Sequence, residues 1–207
     1  MTTIDQPSSG SRVIPASAYR RERWRNGLGW TREIHAQASA DGEGWDWRLS
    51  IAEIEQDAAF SAFPGVDREL VLLAGNGLRL RFDEGELHAL SPPHGRLRFA
   101  GERGVVGELV DGPTRDFNLM WRRAACAADL HHRPLVGPMV FFAEPETTWA
   151  LHLLAGEARF ESAPALPPLR AGDTALLAES SRTRFLLEGG GELLAIRIVR
   201  GEALPSA

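Results

Sequence analysis

The feature that most constrains the fold is a long series of short apolar segments separated by turns that contain glycine or proline. The chain has 207 residues, of which 21 are Gly and 13 are Pro. Within the segments, apolar residues recur with the period of two that is typical of strands, as in WDWRLSIAEI (45–54) and RDFNLMW (115–121). Helical periodicity is scarce, although AACAADLHH (124–132) is expected to form one or two helical turns. The pattern predicts an antiparallel β-sandwich or barrel.

The sequence also contains a sign of internal duplication. The tetrapeptide LLAG occurs at 72–75 and again at 153–156, and each copy ends an apolar segment and precedes similar proline-containing segments. We therefore expect two similar β-barrel halves. Between two apolar runs, Asn76-Gly77 tolerates the positive φ angles of a tight turn and predicts a β-hairpin.

Composition excludes several classes of function. All 23 basic residues are Arg, so lysine Schiff-base chemistry and a Walker-type phosphate loop are excluded. A net charge of -5 without a basic run argues against a nucleic-acid partner. The lone Cys126 forbids a disulfide framework. Because no signal peptide and no apolar run of about 18 residues is seen, we expect a cytoplasmic protein without a membrane partner.

Metal and cofactor motifs are missing as well. The six histidines do not form an H-x-H pair followed by a nearby Glu, and nucleophile and dinucleotide-binding motifs are absent. The sequence therefore predicts neither a metal site nor a cofactor.

The informative polar residues lie on alternate faces of two predicted strands. Arg48 and Ser50 share the face opposite Trp47 and Leu49, and Asp116 and Asn118 share the face opposite Phe117 and Leu119. These polar faces either contact solvent or line a pocket, in which Arg would bind a small acid through its carboxylate. Asp67 and Arg68 are expected to form a surface ion pair.

Five motifs resemble the HutD/Ves family, in family order and over about residues 12–123. They are WRNGLGWTRE (24–33), WRLSIAEI (47–54), FSAFPGVDR (60–68), LLAGNGLRL (72–80) and DGPTRDFNLM (111–120). The resemblance implies an all-β bicupin, with two antiparallel β-barrel or jelly-roll halves of the RmlC-like cupin type. It also implies a regulator that limits expression of the histidine-utilisation pathway, with a pocket for small carboxylates such as urocanate or formylglutamate.

Alternation and resemblance together define the predicted organisation and site. We expect a disordered segment at 1–11, a bicupin domain at 12–200 with halves of about 12–125 and 135–200, and a tail at 201–207. One small-carboxylate site is expected in the first half, where Arg48 would bind the carboxylate and Asp116 would orient an Arg or accept from an N–H group. The predicted ligand-binding residues are Asn26, Thr31, Arg48, Ser50, Ser61, Asp116 and Asn118.

Three interpretations of function stay open at this point. The first is a non-catalytic sensor of a small acid that modulates histidine utilisation. The second is a metal-free cupin enzyme in which Glu33 or Asp116 acts as general base. The third is a structural or interaction protein without a ligand. A homodimer is compatible with each.

Overall fold

The protein is built almost entirely of β-strands. The computed structural model describes residues 10–161 and 166–201, and within them the regular elements are strands and one 3₁₀ turn at Ala16–Ala18. The all-β class predicted from the sequence is confirmed. No helix in these two segments has the length and hydropathy needed to cross a membrane. In chain order the strands are β1 (Arg12–Ile14), β2 (Arg20–Arg23), β3 (Gly29–Ala38), β4 (Trp45–Ile54), β5 (Ala58–Ala59), β6 (Val66–Ala74), β7 (Leu78–Phe82), β8 (Leu87–Leu90), β9 (Arg96–Ala100), β10 (Val105–Leu109), β11 (Thr114–Arg122), β12 (Cys126–Val136), β13 (Met139–Ala143), β14 (Thr147–Phe160), β15 (Leu169–Arg170), β16 (Thr174–Leu177) and β17 (Thr183–Arg200).

The chain divides into two compact units. The N-terminal unit comprises residues 17–127 with Gly201, and the C-terminal unit comprises residues 128–200 together with the segment before Ser17. Strand β1 accordingly differs from the predicted halves, because it pairs with β16 of the C-terminal unit. Most of the predicted disordered segment (1–9) and of the predicted tail (202–207) lies outside the described residues.

Two antiparallel sheets form the N-terminal unit. The six-stranded sheet has the order β2-β3-β4-β11-β6-β9, and the four-stranded sheet has the order β5-β10-β7-β8. Their facing apolar side chains form one core, in which Leu70 and Leu72 of β6 pack with Leu78 and Leu80 of β7. The core side of the six-stranded sheet is therefore fixed by the alternation along β6.

The C-terminal unit is a seven-stranded sheet around a core of its own. The path β1-β16-β14-β17-β12 is extended by β13 on β17 and β15 on β14. Buried Leu and Phe side chains of β13, β14 and β17 fill this core, including Phe141, Leu153 and Phe185.

In each unit, later strands pair back in a similar order onto the one or two strands at the LLAG segment. In the N-terminal unit β6 pairs with β9 and β11, while β7 pairs with β8 and β10. In the C-terminal unit the single strand β14 pairs with β16, β15 and the long β17. The two LLAG copies lie at the end of β6 and within β14. This correspondence supports the duplication, and the full bicupin arrangement stays a prediction.

Two local predictions are wrong. Asn76-Gly77 does not close a hairpin, because β6 and β7 belong to different sheets and the turn connects them. Gly75 and Gly77 have φ angles of 106° and 138°, and the Asn76 amide donates to the Asp111 carbonyl over 3.1 Å. The segment 124–132 is not helical either, since most of it belongs to the 11-residue strand β12.

Candidate functional site

A cavity of about 620 Å³ lies in the N-terminal unit. Its floor is one face of the six-stranded sheet, and two loops form its walls, one between β2 and β3 and one after β5. All seven residues predicted to bind a ligand line this single cavity. They are Asn26, Thr31, Arg48, Ser50, Ser61, Asp116 and Asn118. The polar strand faces thus border the cavity, and the binding role of these residues stays a prediction.

Strand register arranges the floor in rows. Met120 of β11 lies opposite Arg48 of β4 and Arg68 of β6, which defines an arginine row. Two residues along β11, Asn118 lies opposite Ser50 and Leu70. A further two residues along, Asp116 lies opposite Ala52, which in turn lies opposite Thr31 of β3. Because side chains on one face recur every second residue, all three rows point into the cavity.

The loop between β2 and β3 is folded by its own polar groups. The Leu28 N–H donates to Asn26 Oδ1 over 3.0 Å, an Asx-turn in which Gly27 has a φ of 74°. Trp24 Nε1 donates to Thr31 Oγ1 over 2.9 Å and so fixes the loop to the floor. Part of the hydrogen-bonding capacity of Asn26 and Thr31 is therefore used to shape the cavity wall.

The second wall loop is aromatic. Phe60 packs edge-on against Trp24 of the first loop, with ring centroids 6.3 Å apart. Phe60, Phe63 and Phe99 surround the Arg68 guanidinium, whose central carbon lies 5.4, 5.6 and 5.3 Å from their ring centroids. The ring faces attract the guanidinium charge through cation–π interactions, and the rings also exclude the water that would solvate it.

Arg68 is a buried cation with no carboxylate partner among the described residues. It is only 5% exposed. Its Nη1 donates to the Ser61 carbonyl over 3.4 Å, and its Nε has no hydrogen-bond acceptor among the residues described. Burial, with repulsion from nearby Arg48 as a smaller cause, lowers the pKa of Arg68 to about 10. The side chain still carries its charge at neutral pH.

The predicted surface ion pair of Asp67 and Arg68 is therefore wrong. Successive residues of a strand point to opposite faces, so Asp67 lies on the other face of β6. There it pairs with Arg98 at 3.2 Å and Arg123 at 2.7 Å. The alternation of Arg68 with Leu70 and Leu72 is the sequence signal that could have placed Arg68 on the cavity side.

Arg48, in contrast, has a carboxylate partner. Its Nε donates to Glu33 Oε2 over 2.7 Å, and its side chain is 19% exposed. Glu33 Oε1 also pairs with Arg20 at 3.1 Å. Because two arginines bind Glu33 and Glu33 does not line the cavity, its carboxylate is poorly placed to act as a general base on a ligand there.

Asp116 is the buried acid of the floor. It is 0% exposed, and Thr114 Oγ1 donates to its Oδ2 over 2.8 Å. Its Oδ1 has no hydrogen-bond donor in the described part of the chain. Burial raises the pKa of Asp116 to about 7, against the opposing effect of the Thr114 hydrogen bond. Thr114 is the described neighbour that binds the Asp116 carboxyl, and the predicted role of Asp116, to orient an Arg or to accept from an N–H group, stays a prediction.

Asn118 lies two residues from Asp116 on the same face of β11, and the oxygen of its side-chain amide is unpaired among the described residues. Its Nδ2 contacts Met120 Sδ at 3.5 Å. The floor therefore presents a guanidinium N–H at one row and two acceptor oxygens at the others. Such a surface is suited to hold a small polar ligand with an anionic end.

The sequence family is decided by a match over most of the chain. The HutD family model matches residues 16–195. The chain belongs to the HutD family. The HutD part of the predicted resemblance is thereby confirmed, and the Ves part is supported by the relatives below.

Curated relatives that match in sequence include proteins from Pseudomonas and Cronobacter. An uncharacterized 21.2 kDa protein in the hutC 3′ region of Pseudomonas putida is 39% identical over 109 residues, which are 53% of this chain and 57% of that protein. Protein Ves of Cronobacter sakazakii is 41% identical over 108 residues, 52% of this chain and 58% of Ves. The chain spans a little over half the length of these relatives.

Solved structures confirm the HutD, cupin-like fold. HutD from Pseudomonas fluorescens SBW25, in a formate condition, has a TM-score of 0.80 at 29% identity, covering 93% of this chain and all of that one. Protein Ylba from E. coli has a TM-score of 0.72 at 9% identity, covering 100% of this chain and 97% of that one. The second likeness concerns the fold alone.

Proposed function

We propose that the N-terminal cavity binds a small carboxylate and that the protein is a non-catalytic sensor modulating histidine utilisation. The observation that carries the proposal is Arg68, a buried guanidinium without a carboxylate partner in the described residues, on the floor of a cavity. Leaving a buried charge uncompensated is costly, whereas an anionic ligand would compensate it. A carboxylate fits because guanidinium N–H groups bind both of its oxygens.

The relatives support the biological part of the proposal. One lies in the hutC 3′ region, and a solved HutD is described in a formate condition, formate being the smallest carboxylate. The proposed ligand class includes urocanate and formylglutamate. The proposed role is that of a regulator which limits expression of the pathway, in the cytoplasm and without a metal or cofactor.

A thermal-shift panel tests ligand binding. The panel contains urocanate, formylglutamate, glutamate and formate, together with the fully amidated form of each acid, which has no carboxylate. We expect at least one acid to raise the melting temperature of the wild-type protein while its amide does not. Equal shifts for acid and amide, or no shift for any acid, would refute carboxylate binding.

A reporter experiment tests the regulatory role. In a strain lacking this gene, we expect transcripts of the histidine-utilisation genes to rise above the level of the parent strain during growth on histidine. Complementation with Arg79→Met, a change of an exposed arginine on β7, should restore the parental level, and complementation with Arg68→Met should not. Unchanged transcripts in the deletion strain would contradict the role.

One observation favours an enzyme as the second candidate function. Asp116 is buried at the cavity floor with a pKa of about 7, which is where a general base or acid works best at neutral pH. Incubation of the acid panel with the protein, followed by mass spectrometry, separates the candidates. A new product formed by the wild type but not by Asp116→Asn would establish the enzyme and exclude the sensor without catalysis.

A further inference from the structure

Three buried polar atoms without a protein partner lie on the floor of the cavity. Among the described residues, the buried side-chain nitrogens and oxygens without a partner are Arg68 Nε, Asp116 Oδ1 and Asn118 Oδ1. All three residues line the same cavity. Since native proteins satisfy the great majority of buried polar atoms, such a coincidence in one place points to a bound molecule.

The three atoms differ in chemistry and in position. Arg68 Nε is a donor in the arginine row, where the charge of Arg48 is close enough to repel that of Arg68. Asp116 Oδ1 and Asn118 Oδ1 are acceptors on β11. Met120, which lies opposite Arg68, is two residues from Asn118 and four from Asp116. At about 3.4 Å per residue, the acceptors lie roughly 7 and 14 Å along the strand from the arginine row.

A simple carboxylate would satisfy one end only. Above pH 7, where Asp116 is ionised, the oxygens of a simple carboxylate accept from the arginines, but they repel Asp116 and cannot donate to Asn118 Oδ1. The acceptor end requires a hydrogen-bond donor in the same ligand, several bonds away from the carboxylate. A cavity of about 620 Å³ has room for such a molecule.

We propose, on the basis of the small-carboxylate function above, that the ligand is a carboxylic acid bearing an N–H group, whose carboxylate binds Arg68 and Arg48 and whose N–H donates to Asp116. Amide, imidazole and ammonium N–H groups all belong to this class. Asp116 is thus a specificity-determining residue, and acids of equal charge that lack the N–H are discriminated against.

Calorimetry with matched ligand pairs tests this inference on the wild-type protein. The first pair is urocanate and 3-(2-furyl)acrylate, in which an oxygen-containing ring replaces the N–H-bearing imidazole. The second pair is N-formylglutamate and its ester analogue 2-formyloxyglutarate. At pH 8.5, in any pair of which a member binds, we expect the N–H member to bind at least about 10-fold more tightly than its oxygen analogue. This is the difference that a hydrogen bond to a charged group predicts.

Variants then assign the discrimination to Asp116. In Asp116→Leu we expect the preference for the N–H member to fall below about 3-fold, while the matched control Asp129→Asn, an exposed acid on β12, keeps it. If Asp116→Leu does not fold, Asp116→Asn replaces it and is expected to lower the preference partially.

The outcomes separate the two proposals. Equal binding within both pairs, or tighter binding of the oxygen analogues, overturns the N–H requirement and leaves carboxylate binding intact. Binding of neither member of either pair overturns both. If Asp116→Leu still prefers the N–H member, another residue accepts the hydrogen bond from the ligand N–H. That result overturns the role of Asp116.

Discussion

At the residue scale, the chemistry of the cavity is set by two buried ionisable side chains of opposite charge in different rows. Arg68 has lost its solvent without gaining a carboxylate among the described residues, and Asp116 has lost its solvent without gaining a cation there. Both conditions disfavour the ligand-free protein, because the charged forms are poorly solvated. Side chains whose buried charge a ligand would compensate are expected to lower the free energy of unfolding when no ligand is bound.

Replacing Arg68 by a residue of similar length without charge tests this cost. Arg68→Met keeps contact with Phe60, Phe63 and Phe99 and removes the buried charge. We expect the free energy of unfolding of the ligand-free protein to stay the same or to rise by up to about 4 kcal/mol, measured by urea denaturation. Arg79→Met should change it by less than about 0.5 kcal/mol. A loss of about 3 kcal/mol in Arg68→Met would show that Arg68 is well paired without ligand.

Asp116 predicts a pH dependence of stability with a definite sign. Its folded pKa of about 7 lies above the ordinary value of 3.8, so the folded state holds the proton more tightly than the unfolded state. Its contribution to stability is full below about pH 4 and is lost as the pH rises through 7.

Asp116→Asn should therefore gain stability relative to wild type as the pH increases from 4 to 8, by up to about 4 kcal/mol. The gain is measured as the difference in unfolding free energy between the two proteins at each pH. Asp129→Asn should show no such trend. A gain that does not depend on pH would contradict a raised pKa at Asp116.

Much of the site could be predicted from single residues because alternation along a strand is a local property. The faces of β4 and β11 were readable from Arg48, Ser50, Asp116 and Asn118, and all four line the cavity. Arg68 was missed because its neighbour Asp67 offered a plausible ion pair. The pairing of β6 with β11 shows that the face of β6 carrying Arg68 borders the cavity.

At the element scale, the site depends on how closely the loop before β3 approaches β4. A Cβ at Gly29 would lie 2.5 Å from the Glu53 carbonyl oxygen and about 3.1 Å from the Trp24 ring. Trp24 in turn binds Thr31 at the cavity floor. The absence of a side chain at Gly29 thus allows the wall loop to close on the sheet.

Gly29→Ala should consequently disturb both the wall loop and the site. We expect a loss of about 1–3 kcal/mol in unfolding free energy, because backbone on one side and an indole on the other leave no room for the methyl group. Denaturation by urea measures the loss. Gly10→Ala is the matched control, since a Cβ there has no neighbour within 4 Å. Equal stability of the two variants would show that the loop yields easily.

The sequence predicts the positions of the strands well and their pairing partners less well. WDWRLSIAEI coincides with β4 and RDFNLMW lies within β11, because local alternation and composition define a strand. The turn at Asn76-Gly77 was correctly placed, but the neighbours of β6 and β7 are set by distant strands. The same long-range pairing makes β12 a strand despite its alanine-rich start.

At the scale of the whole molecule, the two units repeat a pairing pattern but differ in what they enclose. The core side of the N-terminal unit combines apolar packing with the polar floor of the cavity. The described core cluster of the C-terminal unit consists of apolar side chains. We infer that ligand binding belongs to the N-terminal unit. The sequence indicated the repeat through LLAG, but the assignment of β1 to the C-terminal unit required the pairing of Arg12 with Leu176.

The most direct test of carboxylate binding is isothermal titration calorimetry of the best acid from the panel. The titrations compare wild type with Arg68→Met, Arg48→Ala and Arg115→Ala, the last being an exposed arginine on β11 next to Asp116. We expect one site per chain in the wild type and an unchanged affinity in Arg115→Ala. Losing a charge-assisted contact of roughly 1.5–3 kcal/mol should weaken binding about 10- to 150-fold in Arg68→Met and Arg48→Ala. An affinity in Arg68→Met and Arg48→Ala equal to that of wild type would contradict a carboxylate site on this floor.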